Sequence, residues 1–359
     1  MHVPDGFIDA PTSAVTGVLA AGAIAVSLRG ARRELDERTA PLAGLVAAFI
    51  FAVQMLNFPV AAGTSGHLLG GALAAILVGP YTGVLCVSVV LLMQGILFAD
   101  GGLTALGVNI TDMAIVTTVV SYAVFRLLVK ALPRGRRTVT VASFLAALVS
   151  VPAAALVFTL IYAVGGTTDV PIGKVATAMI GVHVLIGLGE AVITSLTVGA
   201  VIAVRPDLVH GARGLEQRLR LRVNGELVDA PAARPVPVAR ASRRTVWIAG
   251  AAVSLLLAGV VSFYASASPD GLEKVARDQG IDKQAKPHAS DGSPLAGYGV
   301  KDIADARLSG GLAGVIGVGS TVVAGSTVFW VVRRRRTDGT PTDTPTQPRR
   351  VAEPSSQAG

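Results

Sequence analysis

Nine apolar stretches dominate the chain, at about 11–29, 41–57, 67–79, 83–99, 107–130, 139–164, 174–204, 245–265 and 309–332. Most reach the roughly 20 residues that a helix needs to cross the hydrocarbon layer of a bilayer. Lipid offers no partner to a bare backbone, so runs of this kind fold as helices that satisfy their own N–H and C=O groups. The chain is only 15% charged, whereas soluble domains carry about 25% charged residues. The sequence therefore predicts an all-α integral membrane protein with seven helices, a polar break, then two more. Small residues fill the runs, with 41 glycines in all, which suits close helix packing in lipid. The 67–79 stretch is short, and Gly70, Gly71, Gly79 and the Gly79-Pro80 end predict a tightly packed helix buried within protein.

The basic residues set an orientation. Arg29, Arg32, Arg33 and Arg38 follow the first run, and Arg126, Lys130, Arg134, Arg136 and Arg137 follow the fifth. Nine arginines lie from Arg205 to Arg244, and Arg333 to Arg336 follow the last run. Alternating nine helices puts all of these on one side, which the positive-inside rule makes the cytoplasm. The N-terminus is then extracytoplasmic, with the 58–66, 100–106 and 165–173 loops, and the C-terminus is cytoplasmic. The net charge of +8 is mostly this excess and requires no nucleic-acid partner. Four units follow: a seven-helix membrane domain at 1–205, a cytoplasmic Arg/Pro/Ala-rich linker at 206–244, a two-helix module at 245–335, and a disordered tail at 336–359. The two-helix module carries an extracytoplasmic loop at 266–308. The single cysteine, Cys86, lies in an apolar run and reads as a small buried hydrophobe.

The chain opens MHVPDGF, without the basic region and apolar core of a secretory signal. A histidine at position 2 presents a rare donor set: the α-amine of Met1, the amide nitrogen of His2 and the His2 ring. A suitable metal drives off the amide proton, and two fused chelate rings then close with three nitrogens in a plane. The α-amine has an ordinary pKa of about 7.7–8.0, so it is accessible near neutral pH. His67, in NFPVAAGTSGHLLGG, is expected on the same outer face and would complete four nitrogens. Planar or tetragonal nitrogen sets favour Ni(II) or Cu(II). Asn57, Thr64 and Ser65 in that stretch are candidates to support the site by hydrogen bonding. Pro4-Asp5-Gly6 has turn chemistry that would return the tip to the protein; the alternative is a frayed terminus.

Other ionisable groups interrupt the apolar runs and loops. His183 and Glu190 lie seven residues apart in the seventh run, on one helical face and about 10 Å apart by helical rise. That separation is too large for one metal ion, and polar packing is favoured over a transport role. Asp270 and Glu273 lie in the outer loop of the second module, either meeting incoming cations or merely solvated. His210 and His288 fall in polar loops, and no direct role is expected of them.

Four stretches in order, MHVPDGF, QMLNFPVAAGTSGHLLGGALAAILVGP, LLMQGILFADGGLTALGVNI and HVLIGLGEAVIT, resemble the substrate-binding (S) component of nickel and cobalt energy-coupling factor transporters, the CbiM/NikM family. The resemblance covers about residues 1–205. SPDGLEKVA at 268–276 resembles the PDGLE signature of one branch of the CbiN/NikN-like accessory subunit, which implies a fused protein. The resemblance implies a seven-helix S-component bundle with metal ligands at Met1, His2 and His67. It implies Ni(II) or Co(II) as cargo rather than a bound cofactor, and a bacterial or archaeal cell membrane as location. No Walker A sequence occurs in the chain, so the chain lacks the phosphate loop of an ATPase. The resemblance supplies the motor as a pair of cytoplasmic ABC ATPases and a transmembrane coupling (T) protein. Cobalt uptake for cobalamin biosynthesis is the alternative to nickel uptake. Two distant rivals are a structural membrane subunit, with His2 and His67 far apart, and an intramembrane hydrolase pairing a serine with His67 or His183.

Overall fold

The computed structural model describes residues 1–35, 39–61, 63–133, 135–213, 220–223, 226–229 and 242–337. Arg38, Arg134, most of the expected linker and nearly all of the expected tail lie outside the described residues.

The first helix, α1 (Ala10–Glu34), starts where Asp9 accepts a hydrogen bond from the Thr12 N–H and Pro11 occupies the first turn. It is followed by α2 (Ala40–Gln54), a β-hairpin, α3 (Gly71–Val78) and α4 (Pro80–Leu97). An apolar rod then runs through α5 (Leu106–Asn109), a π-helical stretch at Ile110–Val116 and α6 (Thr117–Ala131). The long α7 (Arg136–Gly165) and α8 (Ile172–Val204) pack along one another, and α9 (Arg243–Gly259), α10 (Gly271–Gln279) and α11 (Ala306–Thr337) complete the chain.

Among the described residues, seven helices are long and apolar enough to cross a membrane: Ala10–Glu34, Pro80–Leu97, Leu106–Ala131, Arg136–Gly165, Ile172–Val204, Arg244–Tyr264 and Ala306–Arg334. The protein is thus an all-α, multi-pass membrane protein. The two remaining apolar runs form short helices. With 8 residues, α3 is about 12 Å long, well under the roughly 30 Å hydrocarbon core. Every residue of α3 is buried, and most of the 15 residues of α2 are too. Helices too short to span are tolerated at membrane depth only where protein surrounds them. For α2 that protein comes largely from the second module, because α9 and α11 both pack against it.

The expected helix at 67–79 begins four residues late. Strand β1 (Phe58–Ala61) pairs antiparallel with β2 (Thr64–Gly66), and residues 67–70 form an irregular segment before α3. Gly70 sits at φ +90, a left-handed conformation open to glycine and costly to other residues. The helix cannot run back through it, so His67 is left on an irregular segment. In the expected linker, Arg220–Val223 and Glu226–Asp229 pair as a two-stranded antiparallel hairpin, β3 and β4.

At the end of the bundle that holds the N-terminus, the first nine residues fold inward. Met1 is 2% exposed, Val3 0% and Phe7 2%. The 266–308 loop closes over this end: the Gly297 N–H donates to Phe98 O at 2.8 Å and the Ser293 hydroxyl to Leu97 O at 2.6 Å. Gly6 turns the N-terminal segment at φ +94, with the Gln284 carbonyl where a Cβ would sit. Gly6→Ala is therefore expected to lower the thermal stability of the protein in detergent by at least ~1 kcal/mol, the scale of forcing an L-residue into left-handed backbone. An unchanged unfolding temperature would show that the turn tolerates a side chain.

Candidate metal centre

Backbone and side-chain bonds thread the N-terminal tip into place. Asp5 Oδ1 accepts from the Thr104 N–H at 2.8 Å and the Thr104 hydroxyl at 2.5 Å, and Asp5 O accepts from the Lys286 N–H at 2.8 Å. Asn109 then grips Val3 from both sides: its Oδ1 accepts from Val3 N–H at 2.7 Å and its Nδ2 donates to Val3 O at 3.2 Å. Val3 O also accepts from Gly102 N–H at 2.8 Å. Among the described residues, no acceptor is found for the His2 amide N–H. That nitrogen is free to serve a metal without breaking a structural bond.

His67 is delivered by the segment between β2 and α3. Glu190, on α8, accepts from the Leu69 N–H at 2.7 Å and the Gly70 N–H at 3.1 Å. It satisfies backbone donors just ahead of α3, where a negative group also suits the helix dipole. The His67 Nδ1–H donates to Leu68 O at 3.0 Å, which leaves the Nε2 lone pair facing the Met1 nitrogen 2.6 Å away. The His2 and His67 rings stack with centroids 5.0 Å apart and planes at 25°. His2 Nε2 lies 3.1 Å from Gln94 Oε1, and Nδ1 lies 3.4 Å from Asp100 Oδ1. The tautomer that donates Nε2–H to Gln94 keeps the Nδ1 lone pair for a metal.

Two carboxylates complete the surroundings. Asp270 Oδ2 accepts from the Met1 α-ammonium at 2.8 Å and lies 3.5 Å from His67 Nε2. Ligating atoms of His2, His67 and Asp270 all fall within 4.8 Å of one another. Asp100 accepts from the Tyr298 hydroxyl at 2.5 Å. A cavity of about 510 Å³ adjoins the cluster, lined among others by Gln54, Asn57, Asp100, Tyr298 and Arg307. Burial lowers the His2 pKa to about 4 against the pull of Asp100, so the ring is neutral, as a ligand must be. Burial alone would raise the Asp270 carboxyl, but the Met1 ammonium and His67 beside it hold it well below the usual carboxylate range.

The structure thus brings Met1, His2 and His67 together, and adds Asp270, which is buried in the cluster rather than solvated. Glu273 is exposed, and its Oε2 accepts from the Asp270 N–H at 3.1 Å in a capping box at the start of α10. Asn57 lines the cavity, and its carbonyl accepts from Ser266 N–H at 2.7 Å. The Ser65 hydroxyl and N–H both reach the second module, at Ser268 O and Pro269 O, each 2.8 Å away. Thr64 is buried in β2. His183 and Glu190 do not meet: the His183 Nδ1–H donates to Met179 O at 2.7 Å, and its ring packs against Gly271. Gln94, Asp100, Asn109 and Tyr298 were not singled out from the sequence. Gln94 and Asn109 were visible there as polar breaks in apolar runs. The 5.0 Å ring separation opposes the structural-subunit rival. Among the described residues, no serine hydroxyl is hydrogen-bonded to a histidine ring, which leaves the hydrolase without its pair.

The fold and the cluster together define a multi-pass membrane protein with a buried, nitrogen-rich pocket able to hold a metal ion. Residues 2–208 match the family described as the cobalt uptake substrate-specific transmembrane region, and residues 244–334 match the PDGLE domain. The first match spans more than half of the chain, which belongs to that family and carries a PDGLE domain fused to it. A putative metal transport protein of Haloquadratum walsbyi is 39% identical over 58% of this chain and 93% of its own length. A putative fused nickel transport protein of Archaeoglobus fulgidus is 41% identical over 58% of this chain and 68% of its own. A fused nickel transport protein of Rhodobacter capsulatus is 41% identical over 44% of this chain and 45% of its own. This is a family of metal transporters, not of enzymes.

Glu190 carries a prediction. Glu190→Ala leaves two buried backbone donors unpaired, each costing about 1–3 kcal/mol, so a large drop in unfolding temperature is expected. Hydrogen exchange at residues 69–70 should accelerate. Glu190→Gln, which keeps one acceptor, should lose less. Wild-type behaviour of the alanine variant would show that the carboxylate does not hold this segment.

Proposed function

We propose that the chain is the substrate-binding component of an energy-coupling factor importer that captures a divalent transition metal, Ni(II) in preference to Co(II), from the outer face. The 2.6 Å approach of the Met1 nitrogen to His67 Nε2 carries the reading. It places the α-amine, the His2 amide nitrogen, the His2 ring and the His67 ring within one buried cluster.

Loading then exchanges protons for metal. The α-ammonium gives up one proton and the His2 amide another, as metal-driven deprotonation of ligands requires. The amine, the amidate and His2 Nδ1 close two fused chelate rings, and His67 Nε2 supplies the fourth nitrogen. Four nitrogens in one plane favour Ni(II), and the fused relatives above are named for nickel. Cobalt uptake is the second reading, favoured by the family's own description. The arginines between and after the helices support a cytoplasmic C-terminus and an extracytoplasmic metal site. With no Walker A sequence in the chain, transport depends on a pair of ABC ATPases acting through a T protein.

Blocking the α-amine by acetylation or by residues added ahead of Met1 should abolish tight Ni(II) binding in a titration while the protein stays folded. His67→Ala should weaken binding and shift the visible absorption of the Ni(II) form. Undiminished affinity in the blocked protein would overturn the ligand set. Competitive titration with Co(II) decides between the two ions.

A further inference from the structure

Asp270 divides its two carboxylate oxygens between two modules. Oδ1 accepts from the Glu273 N–H at 2.8 Å and caps α10. Oδ2 turns the other way, 2.8 Å from the Met1 nitrogen and 3.5 Å from His67 Nε2. The segment carrying it is fixed by backbone bonds: Ser65 N–H to Pro269 O at 2.8 Å and Ser266 N–H to Asn57 O at 2.7 Å. A charged atom of the two-helix module is therefore set among nitrogens of the seven-helix domain.

The charges make this placement consequential, on the ligand set proposed above. Without metal, the α-ammonium and Asp270 form a neutral pair, while Asp100, partly exposed, stands apart at 3.4 Å from His2 Nδ1. With metal, a divalent ion and one amidate leave a net charge of +1 in a site where Met1 is 2% exposed. A buried charge of that kind is strongly unfavourable without a partner. The Asp270 carboxylate is already in place to cancel it, so the exchange of two protons for one divalent ion keeps this group of charges neutral throughout. We propose that Asp270 is the counter-charge that the PDGLE module supplies to the metal centre, making that module part of the binding site and coupling its docking to metal capture.

The two oxygens also allow folding and function to be separated. Asn and Ser are good helix N-caps, so Asp270→Asn and Asp270→Ser retain an acceptor for α10 while removing the charge. Glu273→Gln perturbs the capping box and leaves the charge at the centre unchanged. Ni(II) is titrated into each full-length variant in detergent, beside wild type and His67→Ala. Both neutral variants should lose affinity by roughly 30-fold or more, mainly through faster dissociation, as when one member of a buried charge pair is removed. Glu273→Gln should bind as wild type does. Coupling is reciprocal, so Ni(II) added to wild type should slow hydrogen exchange across residues 266–279, a readout that needs no variant.

Wild-type affinity and dissociation in the neutral variants, with binding lost in His67→Ala, would overturn the proposal and leave the ligand set standing. An equal loss in Glu273→Gln, or exchange at 266–279 that ignores Ni(II), would also overturn it. If His67→Ala too bound as wild type, the ligand set itself would fall.

Discussion

A buried α-ammonium sits at the meeting point of three parts of the chain. Met1 nitrogen approaches His67 Nε2 at 2.6 Å and Asp270 Oδ2 at 2.8 Å, across 66 and 269 positions of sequence. A cation out of water must be paired and hydrogen-bonded, and both needs are met here by groups from separate elements. The surrounding end of the bundle is arranged around this contact. Asn109 and Gly102 hold Val3, Thr104 and Lys286 hold Asp5, and the turn at Gly6 feeds the segment back toward α1.

Short helices make room for the site. Were α2 and α3 both full spans, little space would remain at this end for a hairpin and an inserted terminus. Instead α3 is a fully buried half-span, and the irregular residues ahead of it carry His67. Such backbone is admissible at depth because protein, not lipid, surrounds it. Glu190 makes the arrangement specific, since its two oxygens bind the two N–H groups just ahead of α3. A carboxylate placed seven residues from a histidine thus acts on a different histidine, through the backbone that follows it.

The second module is bound into this arrangement at two levels. Within the membrane, α9 and α11 cover α2. At the end that holds the N-terminus, its loop bonds to Asn57, Ser65, Phe98 and Leu97 and brings Tyr298 to Asp100. Fusion keeps these contacts intramolecular, so the module's effective concentration at the centre is set by the chain itself.

The membrane class, the apolar runs and the donor set of Met1 and His2 were legible in the sequence because each is local. Hydrophobicity acts run by run, and a chelate needs only adjacent atoms of one segment. His67 could be nominated from its loop, but its distance from the terminus could not. The start of α3 differs from the expectation because Gly70 takes a left-handed φ of +90, and a residue of α8, Glu190, binds the N–H groups there. Asp270 read equally well as a solvated loop residue, and Gln94, Asp100 and Asn109 as incidental polar groups. What those residues do depends on which backbones meet around the N-terminus, and that is settled by helix packing between segments far apart in the chain. Sequence alone determined the chemistry that the terminus offers to a metal; tertiary structure decided which charges and rings surround it, because coordination and charge pairing depend on distances that only the packed bundle sets.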